Sequence, residues 1–255
     1  MKKYTLLILA FAISAFANDR ELSLSINTMN MDYREYVGGT IVDSEKANSL
    51  PGFGLQYKEK INDTSDGMRS FVDIDFSQYY GDTTYVGFYL NSGGHYGDVT
   101  ATTKNTISDG SIGYTEDKMY DNYLLSMRIG VGYRFWERAL ADGHTEQYKW
   151  PYGSVKMGVS ADLSNQDNLG IAAEYHHAIS PKMESNIYGT FNLGRTNGFS
   201  VSVPWEHTLT SSWAFKLTYM YQTWNIGQSD SNAGFYEPDS ESKFHTINAA
   251  LVYRY

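Results

Sequence analysis

The stretch whose reading decides the fold is the last one, Ile247-Asn-Ala-Ala-Leu-Val-Tyr-Arg-Tyr255. Ile247, Ala249, Leu251, Tyr253 and Tyr255 fall on one face, and Asn248, Ala250, Val252 and Arg254 on the other. A period of two is a strand. One face is apolar and ends in two aromatic rings. Left at an open edge, such a strand invites pairing with other chains, so it needs a neighbour on each side. A closed transmembrane barrel provides both: apolar side chains meet lipid, mixed side chains meet the lumen, and aromatics sit at the interface.

The other end of the chain agrees. Lys2 and Lys3 precede an apolar run, Thr5 to Phe16, that is too short to span a bilayer comfortably. Ala15-Phe16-Ala17 reads as a small-x-small cleavage site, and Asn18 to Glu21 is abruptly polar. Residues 1–17 are expected to be a cleaved secretory signal, leaving 18–255 as one barrel domain. The closing strand resembles the C-terminal assembly signal of bacterial outer-membrane proteins, with Tyr where Phe or Trp is usual. That resemblance implies a place in the Gram-negative outer membrane and two partners, the surrounding lipids and the barrel assembly machinery.

Composition narrows the classes. The chain has no Cys, which excludes disulfides and thiolate metal sites. A closed ladder of strand hydrogen bonds can supply stability instead. The net charge of −9 argues against nucleic acid as a partner, because phosphate binding relies on Lys and Arg. Tyr is the unusual residue, at 22 copies beside 12 Phe and 5 Trp. It places an apolar ring in the membrane edge and its hydroxyl in the wet zone. Past the leader no segment approaches 18 consecutive apolar residues, so no crossing by a helix is expected.

Alternation recurs along the chain. Leu22, Leu24 and Ile26 share a face, then Met29, Met31 and Tyr33 take over on the opposite parity, which predicts a bulge near Asn27–Thr28. Further strands begin at Phe53 and Phe71, and a poorly marked fourth covers Ile107 to Thr115. The fifth, Tyr123 to Trp136, sends its odd positions outward and Arg128, Gly130, Gly132, Arg134 and Trp136 inward. Strands around Val155–Leu163, Ile171–His176, Phe199–Glu206 and Trp213–Gln222 precede the last. The fold expected is all-β, an antiparallel up-and-down barrel of ten strands, or eight if the third or fourth is misread. Short turns near Asn62–Asp66, Glu116–Asp121, Ser164–Asn168 and Thr208–Ser212 alternate with long polar connections. The long ones are Val37–Leu50, Tyr89–Thr106, Ala139–Glu146, Lys182–Asn197 and Gln228–Ser242. In bacterial barrels the short turns and both termini are periplasmic and the long loops extracellular.

The expected lumen and rim network is Asp73, Asp75, Arg128, Arg134, Arg138, Glu174 and Lys216. Such charges are costly toward lipid and ordinary toward a lumen. At ten strands the lumen is expected to be narrow or filled, its charges paired across it. Tyr33, Trp136, Trp150 and Tyr236 lie in stretches that bring aromatics together with Arg or Lys and carboxylates near the loops, and they are candidates for recognition. The D-Y-x-E-Y stretch at 32–36, the G-Y-R-x-W-x-R stretch at 132–138 and the E-P-D-S stretch at 237–240 resemble a group of small, largely uncharacterised outer-membrane barrels. The resemblance spans most of residues 18–255 and implies a fold rather than a chemistry.

Ten strands is also the size of omptins, outer-membrane endoproteases that use an Asp pair and an Asp–His pair at the rim to activate a water. Asp73-Ile-Asp75 lies below the expected rim. The histidine partners available, Glu174-Tyr-His176 and Trp205-Glu-His207, do not match the omptin motif, so no catalytic residue is assigned. His176 and His177 are adjacent and point to opposite faces, a poor metal pair. No cofactor motif stands out. The sequence reads as a non-enzymatic surface barrel with five extracellular loops, whose ligand it does not name. A rim hydrolase and a small-solute pore are the alternatives.

Overall fold

The computed structural model describes residues 19–64, 67–88, 94–141, 143–232 and 234–255. The expected signal segment, 1–17, lies outside the described residues. Ten strands form the wall: β1 (Arg20–Val37), β2 (Thr40–Asp63), β3 (Met68–Gly87), β4 (Val99–Tyr120), β5 (Tyr123–Ala139), β6 (Thr145–Asp162), β7 (Asp167–Ala178), β10 (Asn197–Thr208), β11 (Trp213–Ile226) and β12 (Asp239–Arg254). Two short strands, β8 (Lys182–Ser185) and β9 (Gly189–Asn192), form a hairpin between β7 and β10. β8 docks on the far half of β6, continuing the wall beyond the end of β7. Each wall strand pairs antiparallel with its neighbours, and the ring closes where β1 meets β12, from Glu21 opposite Arg254 to Tyr36 opposite Asp239. This is the closed ten-stranded antiparallel barrel that the alternation predicts, and the last strand closes it. Backbone hydrogen bonds between Arg20 and Tyr255 finish the seam.

One end carries both termini and the short turns, and the other carries the longer connections. Three of the four short turns fall within a residue or two of where the sequence places them, and the fourth narrows to Asp121-Asn122 because β4 runs on to Tyr120. The longer connections are less loop-like than expected. Residues 40–50, read as loop, are the far half of β2, and the β1–β2 connection shrinks to Gly38-Gly39. Both have positive φ, 59° and 81°, the geometry of a tight two-residue hairpin. The poorly marked fourth strand is a full 22 residues. Its outward positions past the apolar band are Thr100, Thr102, Lys104 and Thr106, so its far half carries no hydrophobic alternation to read.

The parity switch in β1 has a different cause from the one expected. β1 runs against β12 without a break, and Asn27 to Glu35 keep one face inward throughout. The bulges lie where β1 meets β2, between Met29 and Met31 and between Glu35 and Tyr36. What changes at residue 28 is the environment. Near the terminal end the outward positions Leu22, Leu24 and Ile26 are apolar, the first half-buried and the other two exposed, while inward Ser23 and Asn27 are polar. Further along, inward Met29, Met31 and Tyr33 are apolar and buried, while outward Asn30, Asp32 and Arg34 are polar. β12 repeats the pattern, from Ile247 and Leu251 outward to Phe244 inward. The wall therefore has two zones. One is an apolar band facing hydrocarbon, and the other projects beyond it, turning polar residues out and apolar residues in.

The two zones should answer differently to charge. Ile129 is exposed in the middle of the band, so Ile129→Lys is expected to cost about 2–4 kcal/mol in lipid bilayers. Thr84→Lys, outward in the projecting zone, is expected to stay within about 0.5 kcal/mol. Urea titrations in liposomes check both.

Candidate functional site

Within the apolar band the barrel is hollow. A cavity of about 1660 Å³ runs from Arg20 and Tyr255 at the terminal end to Arg134, Tyr152 and His176. It exists because the inward positions here are small. A side-chain carbon at Gly113 would sit 2.3 Å from Arg128 Nε, and one at Gly132 would meet the Tyr152 ring at 2.4 Å. Arg128 therefore lies flat along the wall and gathers three carboxylates from two sides of the ring. Its Nε donates to Asp73 Oδ1 at 2.6 Å, and its two Nη atoms reach Asp75 and Glu174 at 3.4 and 3.5 Å. Thr115 donates to Asp73 and Gln56 to Asp75. At the mouth Arg254 holds Glu21 and Glu206. The cavity is an open vestibule with a mixed polar and apolar lining rather than the narrow or filled lumen expected.

In the projecting zone the barrel is solid. Large inward side chains replace the glycines and serines and form one buried cluster. Tyr33 meets the Trp136 ring edge-on at 4.9 Å, Trp136 stacks on Tyr148 at 5.1 Å, and Trp150 meets Trp224 at 5.3 Å. Met29, Tyr79, Ile107 and Tyr152 belong to both zones, forming the ceiling of the vestibule and the floor of the plug.

A second arginine sits inside the plug. Arg138 is 1% exposed. Its Nε donates to Glu45 at 2.7 Å, and its Nη1 donates to Glu146 at 2.8 Å and Glu35 at 3.1 Å, with Asp43 at 3.8 Å. The guanidinium also covers the Tyr33 ring at 4.6 Å. Around it, Asn105 bridges Trp136 Nε1 and Glu45, Tyr33 donates to Glu35, and Tyr148 donates to Glu237 from the β11–β12 connection. Carboxylates outnumber the one cation. Burial pushes the carboxyls of Glu35, Asp43, Glu146 and Glu237 above the usual carboxylate range. Repulsion from neighbouring carboxylates adds to that shift, and Arg138 opposes it.

One histidine near the loops approaches a catalytic arrangement. His144 Nε2 lies 2.8 Å from Ser185 Oγ and 3.7 Å from Glu146 Oε1. A serine–histidine–acid relay needs the acid on the ring nitrogen opposite the serine, whereas Ser185 and Glu146 both approach Nε2. Ser185 Oγ also accepts from the backbone N–H groups of Ile187 and Tyr188, at 3.1 and 3.0 Å. The trio is a clasp fixing the β8–β9 hairpin to the β5–β6 connection. Among the described residues no group of three or more His, Asp or Glu is arranged to hold a metal ion.

Of the residues singled out from sequence, Asp73, Asp75, Arg128 and Glu174 meet in the vestibule. Arg134 stands apart at its ceiling, donating to Asp109 at 3.2 Å and Gln222 at 3.3 Å. Arg138 belongs to the plug, and Lys216 lines the vestibule with no ion-pair partner. Tyr33, Trp136 and Trp150, expected at the loops, are strand residues buried in the plug, so they are not presented to a partner. Tyr236 remains exposed. Sequence reasoning left out Asn105, Asp109, Tyr148 and Tyr152. Asn105 and Asp109 lie on the poorly marked fourth strand and Tyr148 and Tyr152 ahead of the residues read as the sixth, where the apolar face has turned inward.

The chain matches no family model and no curated protein. Among solved structures it is similar to the translocator domain of the autotransporter NalP from Neisseria meningitidis, at 11% identity and a TM-score of 0.49, covering 95% of this chain and 90% of that one. It is similar to an outer-membrane channel from Pseudomonas putida F1, at 9% identity and a TM-score of 0.47, covering 95% and 97%. A third is the outer-membrane protein OprG from Pseudomonas aeruginosa, at 9% identity and 0.44, covering 94% and 96%.

Arg138→Met removes the only cation from its carboxylate cluster and is expected to cost about 3–5 kcal/mol, because it leaves buried charges uncompensated. The same cluster sets a pH response. An acid whose folded pKa is raised binds more protons folded than unfolded, so its contribution falls as pH rises above the unfolded value. The plug is expected to be firmest in mild acid and to loosen as pH rises from about 4.5, the ordinary Glu value, through the raised ones. Amide exchange of the far halves of β5 and β6 at several pH values, corrected for intrinsic rates, measures it.

Proposed function

We propose that the protein is a Gram-negative outer-membrane barrel that acts as a non-enzymatic surface protein. Its longer connections and projecting zone face outward from the cell, and its termini and vestibule face the periplasm. The observation that carries this reading is the plug. An apolar band flanked by Trp213, Tyr253 and Tyr255 supports a bilayer setting with an aromatic girdle at the terminal end. Above the band the wall continues as a rigid, internally packed stalk rather than as loose loops, and a stalk of that kind presents a fixed surface. The five connections, with Tyr236 among their exposed residues, serve recognition of an extracellular partner or the structure of the envelope. The closing strand is the segment that barrel assembly machinery reads, and outer-membrane lipids cover the band.

A small-solute pore is the second reading, favoured by the vestibule, which already opens half of the path. The plug closes the other half with Trp136, Tyr148 and Trp150, each at most 1% exposed. The rim hydrolase has no comparable support, since His144, Ser185 and Glu146 form a clasp.

Fractionation with outer membrane and heat-modifiable migration on a gel are the expected outcomes for this reading. Recovery as a water-soluble periplasmic protein would end it. In planar bilayers the native barrel is expected to be silent. The double variant Trp136→Ala, Tyr148→Ala hollows the plug and is expected to raise the frequency of conductance events. Steady conductance from the native protein would move the assignment to the pore.

A further inference from the structure

The charges of the vestibule are not evenly paired. Its interior carboxylates all have cations: Asp73, Asp75 and Glu174 share Arg128, Asp109 has Arg134, and Asp117 has Lys58 at 3.1 Å. Three cations that line the same cavity, Arg69, Lys156 and Lys216, have no carboxylate within ion-pair distance among the described residues. Free cations therefore stand on the inner wall, although the lining as a whole, with ten Asp or Glu against nine Lys or Arg, is slightly acidic.

The closed end holds a second anomaly. His176 and Arg134 line it at 5% and 3% exposure. Neither ring nitrogen of His176 has a hydrogen-bond partner, although Glu174 lies 4.0 Å from its Nε2, and neither has Arg134 Nη2. A buried polar group left unsatisfied costs about 1–3 kcal/mol, and native structures rarely gather several in one place. These sit against aromatic rings. His176 lies 5.2 Å from the Tyr152 ring and 5.3 Å from the Trp224 ring, and the Arg134 guanidinium covers Trp224 at 5.5 Å.

We propose that the vestibule binds small organic monocarboxylates with an apolar body. They enter at the terminal end and lodge with the acid group on Arg134 and His176. Asp109 already balances the charge of Arg134, so net attraction comes from the free lysines while Nη2 supplies a directed donor. Lys216 lies on β11 three inward positions nearer the mouth than Gln222, which accepts from Arg134. At the usual strand rise that is about 20 Å. Free cations thus stand toward the mouth at Arg69 and Lys216 and along the wall at Lys156, and the closed end offers the Nη2 donor. Met29, Tyr79, Ile107 and Tyr152 give the apolar body a surface to cover. At about 1660 Å³ the compartment exceeds the roughly 300–1,000 Å³ of an ordinary small-molecule pocket. A single-ring ligand occupies the closed end and leaves the rest to water.

The test uses the full-length barrel purified in detergent, with heat-modifiable migration as the check on folding, and titrates benzoate, benzamide and benzylamine by calorimetry. Benzoate is expected to bind saturably, benzamide more weakly and benzylamine not at all. Lys156→Gln and Lys216→Gln are each expected to weaken benzoate about three- to tenfold at low ionic strength, with the loss shrinking as salt screens the charges. Arg134→Gln is expected to abolish binding. Because that variant also strips a partner from Asp109, His176→Phe, which keeps a ring against Tyr152, serves as the second variant and is expected to lose benzoate while staying folded. Equal uptake of benzoate and benzylamine, or an affinity unmoved by both lysine variants, would overturn the proposal. So would a folded barrel with no saturable binding, in which the orphaned groups hold water only. These outcomes are read in detergent and leave the membrane assignment to its own experiments.

Discussion

The pairing of β1 with β12 is the constraint on which the rest of the structure depends. In hydrocarbon every backbone N–H and C=O must find a partner within the protein, and a sheet achieves this only by closing. Closure also removes the freedom to slip. Once Leu24 stands opposite Leu251 and Ser25 opposite Ala250, the inward or outward sense of each position on both strands is fixed, because a shift of one residue would turn every side chain over. That sense then passes around the ring from ladder to ladder. Strand number fixes the bore as well. About eight strands make a barrel that side chains just fill, so ten leave room that must be either hydrated or packed with large residues. This protein does both, at different heights.

The division between the two heights follows from what lies outside the wall. Against lipid, outward residues must be apolar, and inward residues are free to be polar around trapped water. Beyond the band, water lies outside, and the same wall must bury apolar surface on its other side to be stable at all. The inside of the projecting zone is therefore a protein core, with Trp136, Tyr148, Trp150 and Phe244 taking the places that Gly130, Ser154, Ser200 and Ser202 take in the vestibule. A barrel built this way carries its hydrophobic stripe from one face to the other without any change in the path of the chain.

This explains which features could be read from the chain and which could not. Wherever a strand lies mostly within the band, as from Tyr123 to Tyr133 or from Ile247 to Tyr253, its outward face is plain, and so are the closure and the ten-strand count. β2 and β4 extend far past the band, where outward Lys46, Thr102 and Lys104 are as polar as any loop, so half of each strand reads as connection. In β1 the sign reversal imitates a bulge. The site suffers more than the fold. Arg128 and its carboxylates share strands with strong alternation and can be assigned inward from periodicity. Nothing local tells that Arg138 will be covered by aromatics while Arg128 lines an open cavity, because that depends on the size of residues contributed by other strands.

The two arginines solve one problem under unlike conditions. Each collects carboxylates from strands far apart in sequence. Arg128 does so at the edge of a hydrated cavity, where water shares the solvation and the cluster is inexpensive to maintain. Arg138 does so with almost no exposure, where the desolvation of a charge can exceed what its ion pairs return. Stability alone therefore does not account for it, since an apolar plug of equal volume would serve as well. What the buried cluster adds is specificity. Glu35 on β1, Asp43 and Glu45 on β2, Glu146 on β6 and, through Tyr148, Glu237 beyond β11 can meet one guanidinium in only one arrangement of the strands. The projecting zone lacks the lipid that enforces register lower down, and its apolar core would tolerate small slips. A single buried cation whose partners come from separate strands removes that tolerance and holds the far rim in the register that the β1–β12 seam sets at the other end.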